Sequence, residues 1–155
     1  MRKNLKYLVL LFSLVFIGGC QEESDPASGE IQQVKDEMVS GQWVISKLMD
    51  SGKDETSYFA GFVFVFNSNG SLSAKNGSTE YLGTWSITDS SGSSNGQGSD
   101  DSQDDLEFNI FFSLTNKFEE LNEDWDILSH SSTKIELTDV SGGDGSVDYL
   151  TFTKK

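Results

Sequence analysis

Between Leu106 and Leu114 the chain alternates in character with a single exception. Leu106, Phe108, Ile110, Phe112 and Leu114 interleave with Glu107, Asn109, Phe111 and Ser113, and only Phe111 breaks the pattern. Period two sends the two sets to opposite faces of an extended strand. A strand carries a row of backbone N–H and C=O groups that must be paired. The best-patterned segment therefore commits the chain to a sheet.

Other segments supply the partners. Phe62 to Phe66 is apolar on both faces, so it is expected to be central or covered on its second side. The Asn67-Ser68-Asn69-Gly70 that follows carries the Asn-Gly hairpin signal. Further strands are expected at Gln42–Leu48, Ser71–Lys75, Tyr81–Thr88, Trp125–Leu128, Lys134–Thr138 and Val147–Thr153, separated by turn clusters. Eight short strands with hairpin turns and one proline predict an all-β, antiparallel barrel or sandwich. One or two short helices are expected beside them. Ile31, Val34 and Met38 recur at helical spacing in Glu30 to Ser40. Asn116-x-x-Glu119 fits a relaxed capping box, and Phe118 and Leu121 share the face that would pack over one end of the sheet. Asp89 to Asp105 holds no apolar residue and reads as a flexible loop between two strands.

The first twenty residues follow different rules. Arg2, Lys3 and Lys6 precede Leu8 to Ile17, which is apolar except for Ser13, and Ile17-Gly18-Gly19-Cys20 closes the segment with the only cysteine of the chain. A charged start, a short apolar stretch and a small-residue junction make a signal peptide. Ten apolar residues are half of the roughly 20 that a membrane-spanning helix needs. The junction resembles the lipobox of bacterial lipoproteins, which implies cleavage before Cys20 and lipidation of its sulfur. That reading divides the chain into a signal peptide (1–19), an acidic tether after the lipidated cysteine (20–30) and a folded domain (31–155). A lipidated Cys20 leaves no thiol for a disulfide, a metal or a nucleophile. Gln21 is not the aspartate associated with inner-membrane retention, and the acidic start resembles signals for export to the outer face. The expected location is the outer membrane, lipid-anchored, with cell-surface exposure as a variant of it.

Losing Arg2, Lys3 and Lys6 takes the basic count from 11 to 8 against 25 acidic residues, a formal charge of −17 with no arginine left. Nucleic-acid binding needs cations on phosphates and is excluded. A basic patch for anionic lipid is missing too.

Several short motifs then fall in order. Gly41-Gln42-Trp43 opens the first strand, and Phe64-Val65-Phe66-Asn67-Ser68-Asn69-Gly70-Ser71-Leu72 forms a hairpin. Gly83-Thr84-Trp85-Ser86-Ile87 repeats the Gly-x-Trp pattern, and Trp125-Asp126-Ile127 and Leu150-Thr151-Phe152 complete the series. Together, over about Val39 to Lys154, they resemble the lipocalin-like domain of many small bacterial lipoproteins. The resemblance implies an eight-stranded meander barrel, just wide enough to fill with side chains or to hold one small ligand. In ligand-carrying lipocalins an arginine packs over the first tryptophan. This mature chain has none, so Lys154 or Lys155 would have to take that place by a cation–π contact.

The lumen of such a barrel is the leading candidate site, with Trp43, Phe62, Phe64, Phe66, Trp85, Phe108, Ile110 and Phe112 as its lining. It would be either an apolar pocket for a lipid or pigment or a filled core, and so many large aromatics in a small barrel favour filling. Asp100, Asp101, Asp104 and Asp105 could offer oxygens to Ca²⁺ but lack the spacing of a calcium loop. Gly142-Gly143-Asp144-Gly145 begins like a calcium-binding repeat in a single copy, and both stretches read as solvated turns. His130, the only histidine, reads as a turn residue between Ser129 and Ser131. No catalytic triad, zinc cluster or phosphate loop is readable, so neither an enzyme, a metal site nor a cofactor is expected. Two functions remain. One is a lipid-anchored lipocalin-like barrel holding a small hydrophobic ligand. The other is a non-catalytic lipoprotein with a filled barrel that docks on an envelope protein or glycan.

Overall fold

The computed structural model describes residues 26–89, 106–140 and 145–155. Helix α1 (Pro26–Val39) is followed by strands β1 (Trp43–Asp50) and β2 (Lys53–Asp54), a 3₁₀ turn at Thr56–Phe59, β3 (Val63–Phe66), β4 (Ser71–Asn76) and β5 (Thr79–Asp89). Then come β6 (Leu106–Phe112), a second 3₁₀ turn at Lys117–Leu121, β7 (Asp124–His130), β8 (Lys134–Val140) and β9 (Val147–Lys154). The sheet runs β2-β1-β3-β4-β5-β6-β7-β8-β9, and β1 also pairs with β9. Every pairing is antiparallel. Leaving aside the two-residue β2, which only doubles back on the end of β1, eight strands close into a meander barrel.

Closure is uneven. On one side β1 and β9 share a long register from Trp43↔Lys154 to Met49↔Tyr149 with a bulge after Ile45, whereas β1 meets β3 through the single pair Trp43↔Phe64. Bulges bend a strand and raise its twist, which lets β1 turn the corner between its two neighbours. The period-two reading of β6 holds: Leu106, Phe108, Ile110 and Phe112 are buried and Phe111 faces outward.

Both ends of the barrel are covered. Helix α1 packs against β3 and β5 and buries Val34 and Met38 at the end where β1 begins. The Lys117–Leu121 turn closes the other end, between β6 and β7, and buries Phe118 and Leu121. Asn116 caps this turn by accepting from Phe118 N at 3.0 Å, and Asn122 holds its exit by accepting from Phe112 N at 2.6 Å and donating to Phe112 O at 2.9 Å.

Four expectations change. The helix starts at Pro26, inside the segment read as a tether, because proline is well suited to a first helical turn where its missing N–H is not needed. Phe62 precedes β3 and is half-buried at the barrel mouth, not in the lumen. The outer face of β3 lines an open groove of about 460 Å³, with Val63 and Val65 partly buried between Lys75 and Lys155. His130 ends β7 and is not a turn residue. Cys20, the acidic loop with Asp100, Asp101, Asp104 and Asp105, and Gly142 to Asp144 lie outside the described residues.

Candidate functional site

The barrel interior is the site to which the strand pattern points. Trp43, Phe64, Phe108 and Phe112 are completely buried, and Phe66, Ile110 and Trp85 nearly so. Their rings touch in series. Trp85 meets Phe66 at 5.3 Å and Phe108 at 5.7 Å, and Phe66 meets Phe152 at 5.4 Å. Phe152 lies 5.3 Å from Phe64, which in turn stands 6.2 Å from Phe118. Most of these pairs are edge-on, the arrangement that aromatic quadrupoles favour. An unbroken line of rings thus runs from the helix-covered end to the opposite mouth.

Phe118 is the plug of that mouth. Its ring sits against Phe59 at 5.3 Å, Phe62 at 5.0 Å, Tyr81 at 4.8 Å and Phe112 at 4.9 Å. Beside it Lys117 bonds Glu120 and lies 3.3 Å from Glu55 Oε2, and its ammonium stands over the Tyr58 ring at 4.6 Å. Glu55 is buried and is also paired with Lys53. Its carboxyl is held below the ordinary value, first by the Lys53 hydrogen bond and against the cost of desolvation. Glu55 Oε2 accepts no hydrogen bond among the described residues and meets only the Lys117 charge. These ion pairs tie the plug to the segment that enters β3.

At the helix-covered end the tryptophans of both Gly-x-Trp motifs spend their N–H groups on backbone. Trp43 Nε1 donates to Met38 O at 2.8 Å, and Trp85 Nε1 donates to Asn67 O at 3.0 Å. Lys154, one of the two lysines nominated for the place of the missing arginine, lies with its Nζ 5.8 Å from the Trp43 ring. Gly41 leaves room for it, since a Cβ there would stand 2.5 Å from the Lys154 side chain. At Gly83 a Cβ would meet Phe111 O at 2.5 Å and the Phe112 ring at 2.8 Å, so the second motif needs its glycine for strand packing. His130 Nδ1 lies 2.8 Å from Glu37 Oε2, and its Nε2 lies 3.5 Å from Glu30 Oε1, which clasps α1 to β7.

Outside the barrel, a cleft of about 630 Å³ opens beside the plug, over Leu48, Met49 and Trp125 and rimmed by Asp50, Glu119, Glu123 and Asp148. Burial, and then repulsion from Asp139, Asp148 and Asp124, raises the Glu123 carboxyl above its ordinary range. A second cleft, of about 360 Å³, lies between α1 and Trp85. Among the described residues no cluster of three or more His, Asp or Glu side chains is placed to hold a metal ion. Nor is any helix there long and apolar enough to cross a membrane.

Sequence reasoning assembled the inward faces and the Phe118–Leu121 cover. It missed the Glu55 cluster and the His130 clasp, whose partners lie far apart in the chain and leave no local signal. No protein-family model matches this chain. No curated protein matches it in sequence. Among solved structures the chain is similar to a crystal structure of a DUF4847 family protein from Bacteroides vulgatus, at 16% identity and a TM-score of 0.46, over 79% of this chain and 97% of that one.

Proposed function

We propose that this protein is a lipid-anchored envelope lipoprotein that works through the outside of a filled barrel, without catalysis, by docking on a partner in the envelope. The observation that carries this reading is the line of touching rings from Trp85 to Phe118 through the barrel interior. Specific small-ligand pockets are concave spaces of roughly 300–1,000 Å³. The clefts of that size described above lie on the exterior. A ligand-carrying barrel would require Phe118 to leave five aromatic neighbours and Lys117 to leave two carboxylates.

The test is native mass spectrometry of the protein purified from its own membrane, joined to titration with fatty-acid and retinoid-like probes while tryptophan emission is followed. The filled barrel predicts a bare protein and no change in the emission of Trp43 and Trp85. A co-purifying lipid or saturable quenching would restore the carrier reading. For the anchor, Cys20→Ala is expected to move the protein from the membrane to the soluble fraction, and retention in the membrane would refute lipidation at Cys20.

A further inference from the structure

The outer face of β5, β6 and β7 carries a row of polar and apolar side chains open to solvent. Thr84 stands opposite Phe111 in the register, and Ser86 stands opposite Asn109, which in turn faces Asp124. Neighbours two apart along a strand are about 7 Å apart and cross-strand neighbours about 5 Å. The two rows therefore form a patch of roughly the footprint of one sugar ring. A groove of about 380 Å³ runs through it. Phe111 leaves 56% of its surface exposed, and Leu82, diagonal to it on β5, leaves 73%.

The polar groups here are open. Among the described residues, the Thr84 and Ser86 hydroxyls and the Asp124 carboxylate make no side-chain hydrogen bond. Asn109 donates from Nδ2 to Thr88 Oγ1 at 2.9 Å, which leaves its Oδ1 as a free acceptor. Asp124 closes one edge of the patch, and Glu107 and Asp126, paired in register, continue the same face one step along the strands.

From this arrangement we infer a binding site for a neutral glycan, which rests on the reading of the barrel as a surface-acting module. A sugar ring presents an apolar C–H face and a rim of hydroxyls. The apolar face fits on Phe111 with Leu82 beside it. A carboxylate and an amide oxygen accept from adjacent sugar hydroxyls, while the Thr84 and Ser86 hydroxyls both donate and accept. Anionic polymers are repelled by the surrounding charge.

The experiment titrates the full-length protein, in a detergent without a sugar headgroup, with neutral trisaccharides of gluco, manno, galacto and N-acetylglucosamine configuration. Each is taken to about 10 mM, ten times a millimolar constant, and binding is read by calorimetry. At least one is expected to bind. Phe111→Ala, which removes the ring under the sugar, and Asp124→Asn, which removes a charged acceptor, are each expected to weaken it about tenfold. Both side chains are exposed, so unchanged melting is expected, and Val140→Ala, exposed on β8 outside the patch, should leave binding intact. Silence across the neutral panel, or binding that survives both substitutions, overturns the glycan site. So does capture of a protein partner at Phe111 with no sugar response. A sugar-silent protein with an empty lumen defeats the glycan alone, whereas a lipid in the lumen defeats the surface reading.

Discussion

Glu55 sits buried between two lysines, and its carboxylate is the charge that Lys53 and Lys117 share. A group whose folded value is depressed contributes stability above its unfolded value and loses it as pH falls through the folded one. Glu55 is of this kind, lowered from an ordinary 4.5 mainly by Lys53. At neutral pH, Glu55→Gln is expected to lower the urea midpoint, because it leaves Lys117 beside a neutral group. The deficit should shrink as pH falls below the ordinary carboxylate range, where the native residue is protonated as well. Urea titrations of both proteins from neutral to acidic pH check this, and a pH-independent deficit would remove the ion pair as its cause. Nothing local announced this residue. Glu55 follows a polar turn cluster, and Lys117 reaches it from the far side of the chain. The Gly-x-Trp tryptophans were legible because their motifs are contiguous. Their hydrogen bonds to Met38 and Asn67 were not, since those depend on how the helix and the hairpin settle on the barrel.

The Lys117–Leu121 turn is the element on which the state of the barrel depends. Its cap and its two buried residues were readable from Asn116, Phe118 and Leu121 by helical spacing. That Phe118 would touch five rings was not, because four of them come from segments that the turn meets only after the strands have closed. Replacing a buried phenylalanine by alanine costs about 3–5 kcal/mol through lost contact and residual cavity. Phe118→Ala is expected to fall in that range by equilibrium denaturation, and a loss below about 1 kcal/mol would mean the plug packs more loosely than its ring contacts imply. At the other end, α1 illustrates the reverse limit. Its apolar spacing was clear, but the acidic composition before it hid the first turn, which Pro26 is shaped to begin.

Across the whole molecule the balance is between a dense aromatic core and a strongly acidic surface. A formal charge of −14 over the full chain means net self-repulsion, which salt screens. The screening length falls from about 30 Å at 0.01 M to about 3 Å at 1 M salt. Thermal melting followed over that range of sodium chloride should show a rising midpoint; a falling one would mean that attractive pairs such as those around Glu55 and His130 outweigh the repulsion. Local period determined that the chain is a sheet protein and which side of most strands faces inward, and helical spacing determined that short helical pieces accompany the strands, because period and composition act over a few neighbouring residues. The N-terminal segment determined by the same local logic that an anchor is expected at Cys20. Whether the interior is a pocket or a core was left to the tertiary structure, since filling depends on ring volumes brought from every strand to one axis. The open row of Thr84, Phe111, Ser86, Asn109 and Asp124 also exists only through strand register, which sets distant residues side by side.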